Sequence, residues 1–170
     1  LDRYKEMEAE GLIEWVKSDR NGKVEWRVYQ KYYLEGRLKQ PSNFWSRLEG
    51  NKKASRDLRA LFDGEKVFSF PKPIGLIQHI IQLSGLSKND IVLDFFAGSG
   101  TTAHAVFRQG SESGIQLRFL MVQLPEPLDE SDKDQAIAAA FCRKLGKPLN
   151  IAELTKERLR RGSKECAAQN

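Results

Sequence analysis

The sequence from residue 94 to residue 102, Asp-Phe-Phe-Ala-Gly-Ser-Gly-Thr-Thr, constrains the fold of this chain more than any other stretch. It follows a short apolar run at 90–93 that is typical of a buried strand, and it leads into 103–107, where a helix is predicted to begin. Glycines between a strand and a helix let the backbone turn sharply and approach a ligand. The unpaired N–H groups at a helix start attract a negative group. The stretch therefore predicts a nucleotide-like cofactor site in an α/β fold.

The chain on either side of this turn alternates between helical and strand patterns. Apolar side chains recur at helical spacing in residues 74–83, and a second apolar run at 117–122 follows a polar loop expected at 109–114. Two strands joined by a helix predict a right-handed parallel crossover. Further helices are predicted at 53–62, at 135–145 and from Asn150, which caps the last one. The tail after Gly162 is expected to fray.

The first part of the chain has a mixed character. Strands are predicted at 11–16 and 24–29, and the Asn-Gly pair between them favours a tight hairpin. Residues 31–40 fit either a short helix or an extended arm. We therefore expect a small mixed segment at 1–65 and a parallel sheet with flanking helices at 66–170.

Positive charge is concentrated in one segment. Residues 20–59 hold eleven of the 28 Lys and Arg residues and four of the 23 Asp and Glu residues, a net charge of +7, whereas the rest of the chain has a net charge of −2. Phosphate backbones attract such a segment regardless of base sequence. The alternative is a solvated surface with Tyr33 and Trp45 packed beneath it. The candidate DNA contacts are Lys31, Arg37, Lys39, Lys52, Lys53 and Arg56.

Several other classes of protein are disfavoured. The apolar runs are shorter than the ~20 residues of a membrane helix, and no secretory signal peptide is recognisable. Cys142 and Cys166 lack metal-ligand spacing and favour a reducing cytoplasm, and His79 and His104 are isolated, so no metal site is predicted. Because the chain begins at Leu1 within a charged, helix-like stretch, we expect a fragment of a longer protein.

The glycine turn is compatible with more than one ligand. S-adenosylmethionine fits best, because its amino-acid end carries both an ammonium group and a carboxylate. The same residues match Gly-x-Gly-x-x-Ala, a dinucleotide fingerprint, but that pattern is weak alone and is accompanied by an acid after the next strand, where this chain has Gln123. A phosphate loop is excluded because no Gly-Lys-Ser/Thr follows. A purely structural turn is the remaining alternative.

The glycine turn also resembles the motif Asp-x-Phe-x-Gly-Ser-Gly-Thr-Thr of the amino-methylating DNA methyltransferases. Ahead of it, Phe-Ser-Phe-Pro-Lys-Pro at 68–73 resembles the motif that precedes the glycine loop in the permuted, beta-class enzymes. Nearly the whole chain is similar to the C-terminal part of the modification subunit of type III restriction-modification systems. The other supporting segments are 11–13, 41–45, 55–62, 119–126 and 151–161.

The resemblance implies part of a Rossmann-like, S-adenosylmethionine-dependent methyltransferase fold. It implies that residues 1–65 are part of the target-recognition, DNA-facing region and that residues 66–170 are the S-adenosylmethionine-binding part. It also implies that Phe95 or Phe96 packs on the adenine, although strand aromatics more often lie in the core, and that Gln123 bonds a ribose hydroxyl. The implied cofactor-binding residues are Phe70, Lys72, Pro73, Asp94, Phe95, Ala97, Gly98, Ser99, Gly100, Thr101, Thr102 and Gln123.

The methionine end of the cofactor has its own implied contacts. The glycine loop lets backbone groups approach it, and Asp94 either attracts its ammonium group or organises the loop. The hydroxyls of Thr101 and Thr102 suit its carboxylate, to which Lys72 offers a charge-assisted hydrogen bond.

The catalytic motif of the family, Asp/Asn/Ser-Pro-Pro-Tyr/Phe/Trp, holds the amino group of a flipped base. The prolines of this chain are 41, 71, 73, 125, 127 and 148, and no two adjoin, so no catalytic residue is predicted here. In the permuted order that motif lies upstream. The resemblance therefore implies the cofactor half of an enzyme that methylates an exocyclic amino group of DNA, adenine N6 before cytosine N4, and that is inactive without its other half.

The implied partners are double-stranded DNA and, in the whole bacterial protein, a second copy and an ATP-dependent nuclease subunit. No membrane contact is expected. Two alternatives remain from the residues themselves. One is a nucleic-acid and nucleotide-binding module without chemistry, and the other is a nicotinamide oxidoreductase.

Overall fold

A computed structural model describes residues 2–20, 22–33 and 40–168. The chain divides into two compact units, Leu1–Pro41 and Ser42–Asn170. The helix predicted at 53–62 lies in the same compact unit as the glycine loop. The functional division at residue 65 stays a prediction.

The first unit is a helix followed by a β-hairpin. Helix α1 spans Asp2–Ala9, strand β1 spans Ile13–Arg20 and strand β2 spans Lys23–Gln30. The strands pair antiparallel, and the Gly22 N–H donates to Asp19 Oδ1 at 3.0 Å within the turn, which confirms the predicted hairpin. The helix or arm predicted at 31–40 falls mainly on residues 34–39, which lie outside the described residues.

The second unit contains a two-stranded parallel sheet. Strand β3 spans Ile91–Asp94, strand β4 spans Arg118–Met121, and Ile91 lies opposite Arg118. This pairing confirms the predicted parallel arrangement. The helices of this unit are α2 (Asn51–Leu61), α3 (Ile74–Leu83), α4 (Thr101–Ser113), α5 (Ala136–Lys144) and α6 (Ile151–Ala167). Of the helices described in either unit, none combines the length and the apolar character needed to cross a membrane.

Two apolar cores hold this unit together. The larger joins α2, α5 and α6, with Phe62, Phe141 and Leu154 almost fully buried. The rings of Phe62 and Phe141 meet edge to face with centroids 5.3 Å apart, a geometry that adds to their burial. The smaller core lies between the sheet, α3 and α4 and contains Ile81 and Val106. Helix α4 contacts both α3 and α6, so it connects the two cores.

The two faces of the sheet differ in exposure. Val92 and Phe119 pack against the smaller core, whereas Ile91, Leu93 and Leu120, at alternate positions, are each about half exposed. Parallel sheets of α/β proteins are covered on both faces. The second face is therefore apolar and without a covering layer among the residues that the structure describes.

The polar loop expected at 109–114 is wrong, because this stretch is helical. Helix α4 contains nearly all of it and ends at Ser113, and Gly114, whose φ is 70°, is its C-cap. The polar side chains are used in packing on α3: Gln78 Nε2 donates to Gln109 Oε1 at 3.2 Å and to Glu112 Oε2 at 2.5 Å. The polar residues at 109–114 are therefore part of a contact between two helices rather than of a loop.

Helix α6 begins as predicted and ends later than predicted. The Asn150 Oδ1 atom accepts the Glu153 N–H at 3.0 Å, which confirms the cap. The expectation that the tail frays after Gly162 is wrong. The helix continues because Gly162 packs closely against the His104 ring and Cys166 is buried beyond it.

Candidate functional site

The glycine loop joins the end of β3 to the start of α4. Gly98 and Gly100 have φ values of 50° and 75°, in the left-handed region that favours glycine. The Gly100 N–H donates to Ala97 O at 2.7 Å, which closes the turn, and the Ala97 N–H donates to Val122 O at 3.0 Å, which ties the loop to the residue after β4. The predicted strand, turn and helix therefore form one connected unit at the carboxyl end of the sheet.

Asp94 uses both of its carboxylate oxygens inside the loop. Oδ1 accepts the Phe96 N–H at 3.0 Å, and Oδ2 accepts the Thr102 hydroxyl at 2.6 Å. Hydrogen bonds to a carboxylate are the stronger kind. Of the two roles implied for Asp94, the organisation of the loop has a direct geometric basis here, and the ammonium contact stays a prediction.

Gln123 follows β4 and also bonds to the loop. Its Oε1 atom accepts the Gly98 N–H at 2.6 Å, and its Nε2 donates to the carbonyl of Leu124 at 3.2 Å. An amide oxygen accepts this bond as a carboxylate oxygen would, so the acid that the dinucleotide fingerprint has after this strand is not required for it. The ribose contact stays a prediction, and it would use the same Gln123 amide group that already bonds to the loop.

The first turn of α4 offers unpaired donors. Among the described residues, no hydrogen bond uses the N–H of Thr101, Thr102 or Ala103, as expected for the first turn of a helix. The Thr101 hydroxyl is buried and donates to the carbonyl of Lys72 at 3.3 Å. This bond joins the Phe-Pro-Lys-Pro element to the helix start, while the Lys72 side chain itself is exposed.

The three aromatic side chains of the predicted site are on the surface. Phe70, Phe95 and Phe96 are 90 %, 63 % and 89 % exposed, whereas Ala97 and Pro73 are buried. Core packing, the commoner fate of a strand aromatic, therefore does not account for them in the described part of the chain. The rings are accessible to a ligand, and the adenine contact stays a prediction.

Two residues of α6 bond to the loop and were missed from the sequence. The Thr155 hydroxyl donates to the carbonyl of Gly98 at 2.5 Å. Arg158 Nη1 contacts Ser99 O, Ser99 Oγ and Thr101 Oγ1 at 3.0, 2.8 and 2.9 Å. The available signal is the spacing: Arg158 lies four residues after the buried Leu154, on the inner face of the helix.

A cavity of about 280 Å³ lies among α2, α4 and α6, next to His104. Burial, together with the nearby charges of Arg158 and Arg108, lowers the pKa of His104 to about 4. Its Nε2 atom lies 3.2 Å from a Glu165 carboxylate oxygen. At neutral pH His104 is therefore an uncharged packing residue between α4 and α6. The cavity is lined by charged residues that include Lys53, Asp57, Lys72, Arg108, Arg158 and Glu165.

The candidate DNA contacts differ in their exposure and in their ion pairs. Lys53 lies 2.9 Å from Glu49 and 2.6 Å from Asp57, and its hydrogen bonds to Asp57 and then Glu49 raise its pKa. Lys52 is exposed on the same helix, and the Arg56 side chain is 75 % exposed, with Nε 3.6 Å from Asp57. These three belong to the second unit, whereas Lys31 belongs to the first. Arg37 and Lys39 lie outside the described residues.

The aromatic residues near this basic segment are not simply buried beneath it. Tyr33 is 61 % exposed. Trp45 is 39 % exposed, stacks edge to face on His79 with centroids 5.0 Å apart, and donates its indole N–H to the carbonyl of Ser42 at 2.6 Å. The alternative of a solvated surface over packed aromatics thus fits Trp45 in part and Tyr33 poorly.

Comparisons with known proteins identify the family of this chain. Residues 4–120 match the family model described as DNA methylase. The chain is 34 % identical over 168 residues to the type III restriction-modification enzyme StyLTI Mod subunit of Salmonella typhimurium, a match that covers 98 % of the chain and 23 % of the relative. It is 37 % identical over 148 residues to the EcoP15I Mod subunit of Escherichia coli, covering 86 % of the chain and 20 % of the relative.

A third relative, the EcoPI Mod subunit of Escherichia phage P1, is 33 % identical over 123 residues, covering 71 % of the chain and 17 % of the relative. The chain thus spans less than a quarter of the length of these relatives. The expected resemblance to type III modification subunits is confirmed. Because the family model matches more than half of its residues, the chain belongs to the DNA methylase family.

Proposed function

We propose that this chain is the cofactor-binding part of a DNA amino-methyltransferase, and that it holds S-adenosylmethionine for methyl transfer to adenine N6 or, less favoured, cytosine N4. The supporting observation is the glycine loop. Its turn is closed by internal hydrogen bonds, while the N–H groups of Thr101, Thr102 and Ala103 have no acceptor among the described residues. Unpaired N–H groups at a helix start suit the carboxylate of the methionine end.

The other ends of the cofactor have candidate partners at the same place. Exposed Phe70, Phe95 and Phe96 supply aromatic surface for the adenine ring. Lys72, next to the helix start through its carbonyl, supplies a positive charge for the methionine carboxylate. Asp94 and Gln123 act mainly through the loop that they hold.

We further propose that the chain is the C-terminal fragment of a Rossmann-like methyltransferase. Two observations support this. No two prolines adjoin, so the Pro-Pro motif of the family is absent and the chain alone is inactive. The apolar sheet face of Ile91, Leu93 and Leu120 has no covering layer among the described residues, as expected when further strands and helices of a parallel sheet are supplied by the rest of a protein.

The proposed substrate is double-stranded DNA, with Lys52 and Arg56 of α2 facing its phosphates. By its relation to type III modification subunits, the whole protein is proposed to form a homodimer and to join an ATP-dependent restriction subunit in a bacterial cytoplasm. The unpaired thiols of Cys142 and Cys166 fit that reducing compartment.

Calorimetric titration with S-adenosylhomocysteine tests the cofactor site directly, with NADH as the competing ligand. We expect saturable binding of S-adenosylhomocysteine that Gly98→Val abolishes, because a β-branched side chain is strained at a φ of 50°. The matched control is Gly146→Val, which carries the same kind of strain at a φ of 63° in the turn after α5. It should retain binding.

The same titration separates the alternatives. Saturable NADH binding without S-adenosylhomocysteine binding would contradict the proposal in favour of an oxidoreductase. If the cofactor binds, the missing upstream part of the parent protein is added with a DNA substrate. Restored methylation supports the enzyme, whereas persistent inactivity of a folded mixture supports a binding module without chemistry.

A further inference from the structure

Arg158 is a buried cation without a carboxylate partner within ion-pair distance among the described residues. It is 2 % exposed, and burial lowers its pKa to about 10, so it is still charged at neutral pH. Among the described residues, the three acceptors of its Nη1 group are neutral oxygens, and its buried Nε has no hydrogen-bond partner. Burying such a charge is unfavourable unless its contacts compensate for the lost hydration. The loop contacts are therefore what retains the guanidinium there.

The bonds from α6 fix the orientation of two successive peptide groups. Thr155 bonds the carbonyl of Gly98, and Arg158 bonds the carbonyl of Ser99. No peptide bond in the described chain is cis, and in a planar trans peptide the C=O and N–H point in opposite directions. The Ser99 N–H is therefore directed away from α6, and the Gly100 N–H is directed to Ala97 O at 2.7 Å.

This restraint acts where the backbone is least restrained by its own sequence. The Gly-Ser-Gly stretch loses much conformational entropy when it is ordered. Among the described residues, the Ser99 N–H has no acceptor, like the N–H groups at the start of α4. A loop fixed in advance binds a ligand without paying this ordering entropy at the binding step.

We propose that Arg158 is a positioning residue that holds the glycine loop, and with it the free N–H groups of the loop and of the first turn of α4, in the shape that receives a carboxylate. This inference rests on the proposed function, because it names the methionine carboxylate of the cofactor as the group received. In this role Arg158 acts through Ser99 and Thr101, the residues to which it bonds.

The test compares Arg158→Met with Arg158→Lys and with the matched control Arg160→Met. Arg160 lies on the same helix, but its side chain is half exposed and contacts Glu157 at 3.3 Å. The first readout is amide hydrogen exchange of Gly100 by NMR, which requires no ligand. Hydrogen bonds to charged groups stabilise a fold more than neutral ones do. Because Arg158→Met removes such bonds from the loop, we expect it to speed the exchange of the Gly100 amide by about tenfold or more. The control should leave it unchanged, and Lys should restore it in part.

The second readout is affinity for two ligands. S-adenosylhomocysteine has the amino-acid end, and methylthioadenosine lacks it. Because the same hydrogen bonds are lost, Arg158→Met should weaken the affinity for S-adenosylhomocysteine by about tenfold or more. It should leave the affinity for methylthioadenosine unchanged. Equal weakening of both ligands would indicate a general structural role and overturn the inference.

Variants on the loop side keep the test decisive if Arg158→Met does not fold. The double variant Ser99→Ala/Thr101→Val leaves Arg158 in place and removes two of its three acceptors. It should also speed Gly100 exchange. Unchanged exchange in a folded Arg158→Met or in this double variant would overturn the inference. If the unmodified chain binds neither ligand while exchange responds as expected, the loop restraint is supported and the proposed cofactor function fails.

Discussion

Leu159 lies directly over Gly100. A β-carbon built on Gly100 would be 2.8 Å from Leu159 Cδ1 and 3.2 Å from Thr155 Cγ2, which is closer than carbon atoms pack. Both contacts come from α6. The glycine loop is therefore fitted against this helix by shape as well as by the hydrogen bonds of Thr155 and Arg158.

The two loop glycines should tolerate substitution differently. Both have positive φ, so alanine costs about 1 kcal/mol at either position. Among the described residues, a β-carbon on Gly98 would have one close atom, Phe96 O at 3.7 Å, whereas one on Gly100 would meet α6. Overpacking adds about 1–3 kcal/mol, so Gly100→Ala should lower the free energy of unfolding by about 2–4 kcal/mol and Gly98→Ala by about 1 kcal/mol. Urea denaturation measures both, and equal losses would contradict the fit between α6 and the loop.

A second pair of glycines tests the contact between α4 and α6. An added β-carbon on Gly162 would lie 3.1 Å from three atoms of the His104 ring. In the described part of the chain, one on Gly110 of α4 would meet only Ile115 O, at 3.6 Å. Gly162→Ala should therefore destabilise by about 1–3 kcal/mol. Gly110→Ala should stabilise by about 0.5–1 kcal/mol, because alanine is the better helix former. Thermal unfolding of both variants checks the signs; a stabilising Gly162→Ala would mean that the ring moves aside freely.

The buried imidazole of His104 should make stability depend on pH. Its pKa is lowered to about 4 by burial and by Arg158 and Arg108, and the nearby Glu165 carboxylate is half exposed. In the unfolded chain the pKa is about 6.5, so between pH 6.5 and 4 the unfolded state binds a proton that the folded state excludes. Stability is lost as the pH falls through this window, by about 2 kcal/mol at pH 5.

The measurement is urea unfolding at pH 7 and at pH 5, for the unmodified chain and for His104→Gln. Glutamine does not titrate, and carboxylates elsewhere contribute equally to both proteins. The unmodified chain should lose about 2 kcal/mol more than the variant over this range. The same loss in both proteins would show that His104 titrates normally in the folded state.

The strand, the glycine turn and the first turns of α4 could be predicted because their causes are local. An apolar run, an acid and two glycines determine the backbone between Asp94 and Thr102, and the structure has this order. The hairpin of β1 and β2 and the cap at Asn150 were predictable for the same reason.

The partners of the loop could not be predicted, because they come from distant parts of the chain. The sequence indicates that Gln123 is a polar residue at a strand end, but it does not indicate that its side chain accepts the Gly98 N–H. Thr155 and Arg158 reach the loop only because α6 packs beside α4. Similarly, the polar pattern near Gln109 is typical of a loop, and its use in a contact between α4 and α3 depends on a helix 31 residues away in the sequence.

The basic segment should contribute to DNA binding through its exposed members. Lys52 and Arg56 are exposed, whereas Lys53 is neutralised by two carboxylates. Reversing both charges, Lys52→Glu/Arg56→Glu, should weaken duplex binding at every sequence and reduce the slope of log affinity against log salt by about 2, since each phosphate contact contributes about 1. Lys53→Gln should have a smaller effect than either single reversal.

The matched control, Lys164→Glu on α6, lies outside the basic segment and should leave the slope unchanged. Fluorescence anisotropy over a salt series measures these slopes, and equal slopes for the double variant and the unmodified chain would leave α2 as an ordinary solvated helix.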